Sequence, residues 1–272
     1  MPKTDLIDQL IRHAKNVRRH IVAATTAAGS GHPTSSFSET EILVTLFFHI
    51  LNHKPQQADW EERDRFVLSK GHGAPGLFAV LAEAGYFPQE ELMTLRKLGS
   101  RLQGHPTPHC PGVEAATGAL GQGLSFSIGL ALAAKLKQAT WRVYTLMGDG
   151  EVHEGQVWEA AMTAAKYKLA NLTAIIDANN ISQSGTLAEI KPIEPILDKW
   201  KAFGWNCLEI DGHDFVQLID AFEAAKGHRG APTMIIARTI KGKGVSFLEN
   251  AKGWHGKALS EDQAEEAYEE LQ

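Results

Sequence analysis

The chain has 272 residues, 43% of them hydrophobic, which is enough to bury a full core in one large domain. Its formal net charge of −5 makes nucleic acid and anionic membrane surfaces poor partners. The two cysteines, Cys110 and Cys207, form no CxxC pair, so we expect no disulfide framework, no zinc site and a cytoplasmic location. The sequence shows no signal-peptide pattern and no apolar run long enough to span a bilayer.

The first part of the chain is predicted to be mainly helical. An amphipathic helix over residues 4–28 precedes an apolar helix over 38–51, which we expect in the core or at a subunit interface. Residues 64–69 form a predicted strand and residues 74–84 the next helix. The glycine-rich loop 29–33 follows a helix and lacks the Lys-Ser/Thr of a P-loop, which excludes that motif.

The centre of the chain is predicted to be a strand–helix–strand unit. Residues 141–147 form a buried strand that ends on Gly148-Asp149-Gly150, and residues 172–178 form a second strand that ends on Asn179-Asn180. The intervening helix carries apolar residues at helical spacing, namely Trp158, Ala161, Ala165 and Leu169. Because the carboxyl ends of parallel strands share one edge of a sheet, Asp149 and Asn179 should meet there.

This pairing of polar residues predicts a magnesium site. The Asp149 carboxylate, the Asn179 amide oxygen and the Ile181 backbone carbonyl leave room for phosphate oxygens and water in an octahedral shell. Gly150 lets a phosphate approach the backbone, and the N-terminus of the following helix favours its charge. The alternative is a purely structural turn with Asp149 as a cap, which the strand–helix–strand context disfavours.

Helices and strands alternate in the rest of the chain. We predict helices over 192–203 and 215–226, strands over 206–210 and 233–240, and an acidic surface helix in the tail. His213 is assigned to a turn. The loop Lys241-Gly242-Lys243-Gly244 brings positive charge to a diphosphate site or is a basic exposed loop, two alternatives of equal weight. The fold class is α/β, with a mostly parallel sheet and helices on both faces.

Four histidines lie in loops bounded by glycine or proline, where ligands can approach the backbone: His32, His72, His105 and His255. Together they favour a site that handles protons and anionic oxygens near neutral pH, and none has zinc-ligand spacing. Structural roles are expected for the histidines on or beside predicted helices, which are His13, His20, His49 and His53.

The stretch from Gly148 to Asn180 resembles the thiamine diphosphate signature, GDG followed by a helix, a strand and Asn-Asn. More closely, it is similar to transketolase, and the resemblance spans residues 4–258 through the motifs SGHP, GHG, GHP, TGALGQG and WHG. It implies that residues 1–272 form a single diphosphate-binding (PP) domain. The pyrimidine-binding and C-terminal domains of the family are then expected on a partner chain.

The resemblance also implies roles for the matched histidines as catalytic residues. His32 faces the reacting carbonyl, and His105 binds the hydroxymethyl end of the donor sugar. His72 contacts the cofactor phosphate near the substrate. His255 contacts the diphosphate and helps to move a proton at the substrate oxygen.

Further matched residues are expected to hold the cofactor. Gly118 meets the aminopyrimidine and Leu120 the ring system, although Ala119 stands where the family usually has proline. The diphosphate and metal are assigned to Gly148, Asp149, Gly150 and Asn179, with Ile181 as a third metal ligand. Glu154 matches a glutamate that links two active sites across the dimer; the alternative is a helix-start residue favoured by the dipole.

The function that the resemblance implies is transfer of a two-carbon ketol unit from a ketose phosphate to an aldose phosphate. The cofactors are thiamine diphosphate and Mg²⁺, which Ca²⁺ or Mn²⁺ can replace. We expect an N-terminal subunit of a split transketolase, active only with a C-terminal subunit that brings the activating glutamate and the sugar-phosphate arginines, with two copies of each chain.

Other functions stay open. One is a subunit of a specialised ketol transferase for a sulfo-sugar or another ketose; a second is an enzyme similar to deoxyxylulose-phosphate synthase, which the donor-hydroxyl contact of His105 disfavours. A third is a non-catalytic scaffold, which the presence of the motif residues disfavours. A nicotinamide enzyme is excluded because no GxGxxG follows the first strand.

Overall fold

Five parallel strands form the single sheet of the protein, in the order β1-β2-β3-β5-β4, in a computed structural model that describes residues 3–272. The strands are β1 (Arg65–Leu68), β2 (Val143–Gly148), β3 (Leu172–Ala178), β4 (Asn206–Asp211) and β5 (Thr233–Arg238). Every neighbouring pair is parallel, as predicted, so all five carboxyl ends lie at one edge.

Ten α-helices accompany the sheet in the described part of the chain. The N-terminal ones are α1 (Lys3–Ala28), α2 (Pro33–Ser38), α3 (Thr40–Thr45) and α4 (Ala74–Glu83). The central ones are α5 (Gln122–Lys137) and α6 (Gly155–Lys166). The remaining ones are α7 (Leu187–Ile190), α8 (Ile196–Ala202), α9 (Phe215–Gly227) and α10 (Glu261–Glu270).

Helices cover both faces of the sheet. Because successive side chains of a strand point to opposite faces, each strand contributes to a hydrophobic core on either side. Tyr144 and Leu146 of β2 belong to a core shared with α1, α3, α4 and α9. Val143 and Met147 of the same strand belong to a second core with α5, α6 and α8. This alternation confirms the predicted arrangement of a parallel sheet buried on both sides.

Several predicted elements differ in their bounds. The helix predicted over 38–51 begins at Pro33 and continues as α2, α3 and a π-helical turn over Leu46–Ile50. The helix predicted over 192–203 is shorter, because α8 begins only after Pro195. No predicted element corresponds to α5, whose apolar residues occupy all sides and therefore lack the usual amphipathic pattern.

The helix after Gly150 begins later in the chain than the sequence predicts. Residues Gly150–His153 form a 3-10 turn, and α6 begins at the exposed Gly155. The expectation that a helix N-terminus follows the GDG turn directly is therefore wrong. The buried side of α6 consists of Val157, Ala160, Ala161 and Ala164, whereas Leu169 is buried beyond the end of the helix.

A buried ionic network joins α1 and α3 to the loop after β5. Arg18 donates to both oxygens of Glu41, at 2.6 and 2.8 Å. The His213 ring lies 2.9 Å from Glu41 and accepts the Ile240 N–H at 2.8 Å, while its own backbone N–H donates to Asp211. His213 thus lies in the turn after β4, as predicted, and supports the backbone that precedes Lys241.

Both cysteines are free, with Cys110 buried and Cys207 partly buried. Within residues 3–272, no helix combines the length and apolar character that a bilayer span requires.

Candidate functional site

A cavity of about 200 Å³ opens at the carboxyl edge of the sheet, where β2 and β3 end. The predicted site residues in its wall are His72, Leu120, Gly148, Asp149, Gly150, Asn179, Ile181 and His255. The wall also contains Ser35, Lys70, Glu151, His153, Ser182, Gln183 and Lys241. The structure therefore gathers residues from distant segments of the chain into one concave site, the usual place for a ligand in a parallel α/β sheet.

The register of the sheet brings Asp149 next to Asn179. Gly148 of β2 pairs with Asp177 of β3, so the residues that follow each strand meet at the edge. The Asp149 carboxylate accepts the backbone N–H groups of Gly150, at 2.7 Å, and Asn180, at 2.5 Å. The carboxylate thus caps the 3-10 turn, which is the structural role that the sequence left as the alternative. Asp149 also lines the cavity.

Asp149 lies in an environment with excess negative charge. Burial, followed by the nearby Asp177 carboxylate, raises the pKa of Asp149 to about 6, against the hydrogen bonds from Asn180 and Gly150 and the charge of Lys70. Asn179 is also buried, and its Oδ1 accepts the Ile181 N–H at 3.1 Å. A cation between these oxygens would favour the ionised carboxylate.

Lys241 decides between the two interpretations of the KGKG loop. Its side chain is 3% exposed, and its Nζ donates to the Ile181 carbonyl at 2.9 Å and to His255 Nδ1 at 3.1 Å. Burial, followed by the charge of Lys70, lowers the pKa of Lys241 to about 8, so the ammonium is mostly protonated at pH 7. Lys243, in contrast, is partly exposed and lies 3.3 Å from Glu249. The loop therefore brings one positive charge into the cavity.

Three of the four loop histidines contact one another. The ring centroids of His32, His72 and His255 are 4.9 to 5.3 Å apart. Burial, together with nearby positive side chains, lowers the pKa of His32 to about 4 and that of His255 to about 3, and holds the pKa of His72 well below 6.5. All three imidazoles are therefore neutral at pH 7, and each can donate and accept one hydrogen bond.

His105 and Gly118 lie beside the cavity rather than in its wall. Gly118 has φ +136°, and a Cβ there would be 2.7 Å from the His105 ring. A Cβ on Gly71 would be 2.7 Å from the Gly118 nitrogen. Glycine at both positions thus allows the KGHG, QGHP and TGALGQG loops to pack directly on one another.

Glu154 lies outside the cavity. It is exposed at the N-terminus of α6, where its side chain makes no capping hydrogen bond, and its Cβ lies 2.7 Å from the position of a Cβ on Gly121. The structure of this chain therefore gives Glu154 no contact inside the site.

Several charged residues of the site were not singled out from the sequence. Lys70 and Glu151 are buried in the cavity wall, and Asp177 and Glu39 are buried behind it, beside Lys70. Asp177 could have been identified from the sequence, because it is the one charged residue in the apolar run of β3. Lys70 lies in a motif that was noted for its histidine, and nothing local marks Glu39 or Glu151.

The groups at this site that could bind a metal ion are oxygens of several kinds. In residues 3–272, no group of three or more His, Cys, Asp or Glu side chains is arranged to hold a metal ion. A cation site at this edge of the sheet therefore depends on carboxylate, amide and backbone oxygens together with the oxygens of a ligand.

Comparison with known families and structures gives a consistent result. The family model described as "Transketolase, thiamine diphosphate binding domain" matches residues 10–271. The crystal structure of transketolase from Campylobacter jejuni superposes with a TM-score of 0.90 at 36% identity, covering 97% of this chain and 43% of that one. The chain likewise spans 43% of the length of the first curated transketolases it matches.

Two similar proteins have nearly the same extent as this chain. One is a subunit of the apulose-4-phosphate transketolase of Actinobacillus succinogenes, which is 45% identical over 97% of this chain and 96% of its own length. The other is the 6-deoxy-6-sulfo-D-fructose transketolase subunit SqwG of a Clostridium species, which is 43% identical over 96% of both chains.

Proposed function

Because the chain belongs to the transketolase family, we propose that it binds thiamine diphosphate and Mg²⁺ and acts as the N-terminal subunit of a split enzyme that transfers a two-carbon ketol unit. The observation that carries this proposal is the cavity itself. It combines oxygen donors at the ends of β2 and β3 with the buried ammonium of Lys241 and the neutral histidines His72 and His255.

The residues at the end of the sheet fit a divalent cation. Asp149 and Asn179 offer hard oxygens, and the Ile181 carbonyl, which accepts Lys241 Nζ at 2.9 Å, has a second lone pair for a metal. The burial of Asp149 beside Asp177 favours a positive partner. Three protein oxygens leave the remaining positions of an octahedral shell to the diphosphate and water. Ca²⁺ and Mn²⁺ prefer the same ligand type and are expected to substitute.

The other end of the cavity fits the organic part of the cofactor. The Leu120 side chain offers an apolar wall, and Gly118, which lies beside the cavity, is assigned to the aminopyrimidine only by the resemblance. Lys241 donates a charge-assisted hydrogen bond to the diphosphate, and His72 adds a neutral donor. When bound, thiamine diphosphate supplies a nucleophilic carbanion at its thiazolium C2 and accepts electrons from the two-carbon unit.

The histidines then handle protons at the substrate. Because Lys241 donates to Nδ1 of His255, the neutral His255 ring carries its proton on Nε2 and can donate it to a carbonyl oxygen. His32, which contacts the same ring, is placed to stabilise that oxygen as well. His105, at the rim, holds the C1 hydroxyl of the donor. The donor releases an aldose, and a second aldose receives the ketol unit.

We propose that residues 1–272 form a single diphosphate-binding domain. A partner chain then completes the site. The similarity to two proteins that are named as transketolase subunits supports a partner subunit. The solvent side of α5 is apolar, with Phe126 45% and Leu136 84% exposed, and a helix that is apolar on all sides is usually covered. We propose that a second copy of each chain and the C-terminal subunit cover it and bring Glu154 to a second site.

The identity of the sugar substrate is a separate part of the proposal. Sugar phosphates are the first candidates, and the similarity to a subunit named for 6-deoxy-6-sulfo-D-fructose supports a sulfo-sugar as the alternative. A scaffold is less favoured because polar residues line the cavity, and an enzyme similar to deoxyxylulose-phosphate synthase is less favoured because a pyruvate donor does not require the proposed His105 contact. A cytoplasmic location is part of the same proposal.

The test begins with tagged purification from the native source in mild salt. The eluate is assayed for a stoichiometric second chain, for bound thiamine diphosphate, and for ketol transfer from xylulose 5-phosphate to ribose 5-phosphate. All three are expected. A partner and cofactor without this activity would move the substrate to other ketoses, including sulfo-sugars. Absence of both partner and cofactor, with Mg²⁺ supplied, would contradict the proposal.

A further inference from the structure

Glu151 is a buried acid that joins three segments of the cavity wall. The residue is 1% exposed. Its Oε1 accepts the Gly121 N–H at 2.8 Å and the hydroxyl of Ser69, and its Oε2 accepts the Gly148 N–H at 3.1 Å. Both oxygens are therefore occupied by donors that come from different parts of the chain.

These three donors belong to the two ends of the site. Gly148 precedes Asp149 at the carboxyl end of β2, and Ser69 follows β1. Gly121 begins α5 and follows Leu120 directly. One carboxylate thus holds the turn that offers the metal ligand Asp149 and, at the same time, the loop that offers the apolar wall.

The glycine loop before α5 is held in an unusual conformation and needs an acceptor from elsewhere in the chain. Gly121 has φ +87°, and a Cβ on Gly123 would collide with the Ser69 hydroxyl. Gly121 is the N-cap of α5 and has no side chain with which to cap the helix. Glu151 supplies the missing acceptor, and a negative charge is favoured at a helix N-terminus.

The Glu151 carboxyl group accepts hydrogen bonds on both of its oxygens, from the Gly121 N–H and the Ser69 hydroxyl on one and from the Gly148 N–H on the other. A carboxylate has two accepting oxygens, and both are needed because backbone N–H groups approach from two sides. A carboxamide has one oxygen and therefore cannot accept both backbone groups.

From this arrangement we propose that Glu151 is a positioning residue, which fixes the spacing between the Asp149 turn and the Leu120 loop and so matches the cavity to a ligand that spans both. The inference rests on the proposed function, in which the diphosphate binds at the turn and the ring system at the loop. Glu151 itself touches neither the metal nor the reacting atoms.

The test compares a ligand that spans both ends with one that occupies a single end. Thiamine diphosphate and inorganic pyrophosphate are titrated, each with Mg²⁺, into the complex of this chain with its co-purified partner by calorimetry. For Glu151→Gln we expect thiamine diphosphate affinity to fall at least tenfold and pyrophosphate affinity to change less than threefold. Glu159→Gln, at an exposed position on α6, is the matched control and should change neither.

A second variant covers the case in which Glu151→Gln does not fold. Glu151→Asp keeps the carboxyl group but is one methylene shorter, so it cannot reach Gly121 and Gly148 together, and the same selective loss is expected. Equal losses for both ligands, or no loss for either, would refute the positioning role. If the wild-type complex binds neither ligand, the proposed function fails, which is a separate outcome.

Discussion

The ammonium group of Lys70 forms an ion pair with the carboxylate of Asp177 at the cavity wall, and both side chains are almost completely buried, at 1% and 0% exposed. Lys70 also donates to the Ser35 carbonyl at 2.9 Å and lies 3.0 Å from Glu39. Against the effect of burial, Lys70 and the hydrogen bonds from Lys70, Ser38 and Thr239 hold the pKa of Asp177 below its usual value. The base of the site is thus an ionic cluster with little access to water.

Replacing Lys70 should destabilise the fold strongly. Lys70→Met keeps the length of the side chain but leaves the Asp177 carboxylate buried without a cation, so we expect the free energy of unfolding to fall by about 3–5 kcal/mol. Urea denaturation followed by circular dichroism measures it. Lys226→Met, which removes the exposed ion pair with Glu223, should cost less than about 1 kcal/mol. Similar values for the two variants would contradict the role of the buried cluster.

The metal site predicts a selective loss of cofactor binding. Asp149→Ala removes the only carboxylate among the three proposed ligands, so Mg²⁺-dependent affinity for thiamine diphosphate should fall by more than about 100-fold, beyond the usual effect of a residue outside the ligand shell. Calorimetric titration with and without Mg²⁺ measures this loss. Asp198→Ala, on the surface of α8, should bind normally. Unchanged binding by Asp149→Ala would show that Asp149 is not a metal ligand.

The two lysines of the KGKG loop make a matched pair for testing the diphosphate contact. Lys241→Met removes the buried ammonium, and because a hydrogen bond to a charged group contributes about 1.5–3 kcal/mol, the affinity for Mg²⁺-diphosphate should fall roughly 10- to 100-fold. Lys243→Met removes a positive charge two residues away, beside Glu249, and should change affinity little. Equal effects of both substitutions would indicate only a general loss of positive charge.

The neutral histidines predict a pH dependence of stability. Between pH 6.5 and about 4 the unfolded chain binds protons at His32 and His255 while the folded chain does not, because burial has lowered their pKa values in the folded protein to about 4 and about 3. Their contribution to the free energy of unfolding is therefore complete above pH 6.5 and decreases as the pH falls. Glu39 acts in the opposite direction, since burial raises its pKa to about 8.

A variant comparison isolates the histidine contribution. The melting temperature of His255→Asn should depend less on pH between 7.5 and 4.5 than that of the wild type. His109→Asn, in an exposed loop, serves as the control and should follow the wild-type curve. Parallel curves for His255→Asn and the wild type would show that His255 is not held neutral by the fold.

The apolar surface of α5 predicts the effect of a charge on assembly. Phe126→Asp places a carboxylate on the proposed interface, so co-purification of the partner should fall at least tenfold while the circular dichroism spectrum is unchanged. Leu98→Asp alters a fully exposed leucine in a loop and is the control for a new surface charge. Retention of the partner by Phe126→Asp would place the interface elsewhere.

Much of the local structure could be predicted because it depends on short patterns. The apolar runs that became β2, β3 and β5 were identified by composition, and the ends of β2 and β3 by Gly148 and Asn179. The start of α6 was misplaced, because glycine and a capping aspartate are compatible with a 3-10 turn as well as with a helix. Helix α5 was missed because its side chains are apolar on both the core side and the solvent side.

The amino-acid sequence was sufficient to place Asp149 and Asn179 at one edge of a parallel sheet, because strand period, turn residues and the rule for parallel strands are local or general. The assignment of the four loop histidines to the same site depended on the resemblance to transketolase. Only the tertiary structure revealed that Lys241 points into the cavity and that Lys70, Asp177 and Glu151 are buried around it. The partners of these charges are distant in the chain, as for Glu151 and Ser69, which are 82 positions apart. Burial and pairing arise from packing between segments, and that packing decides which charges meet water and which meet each other.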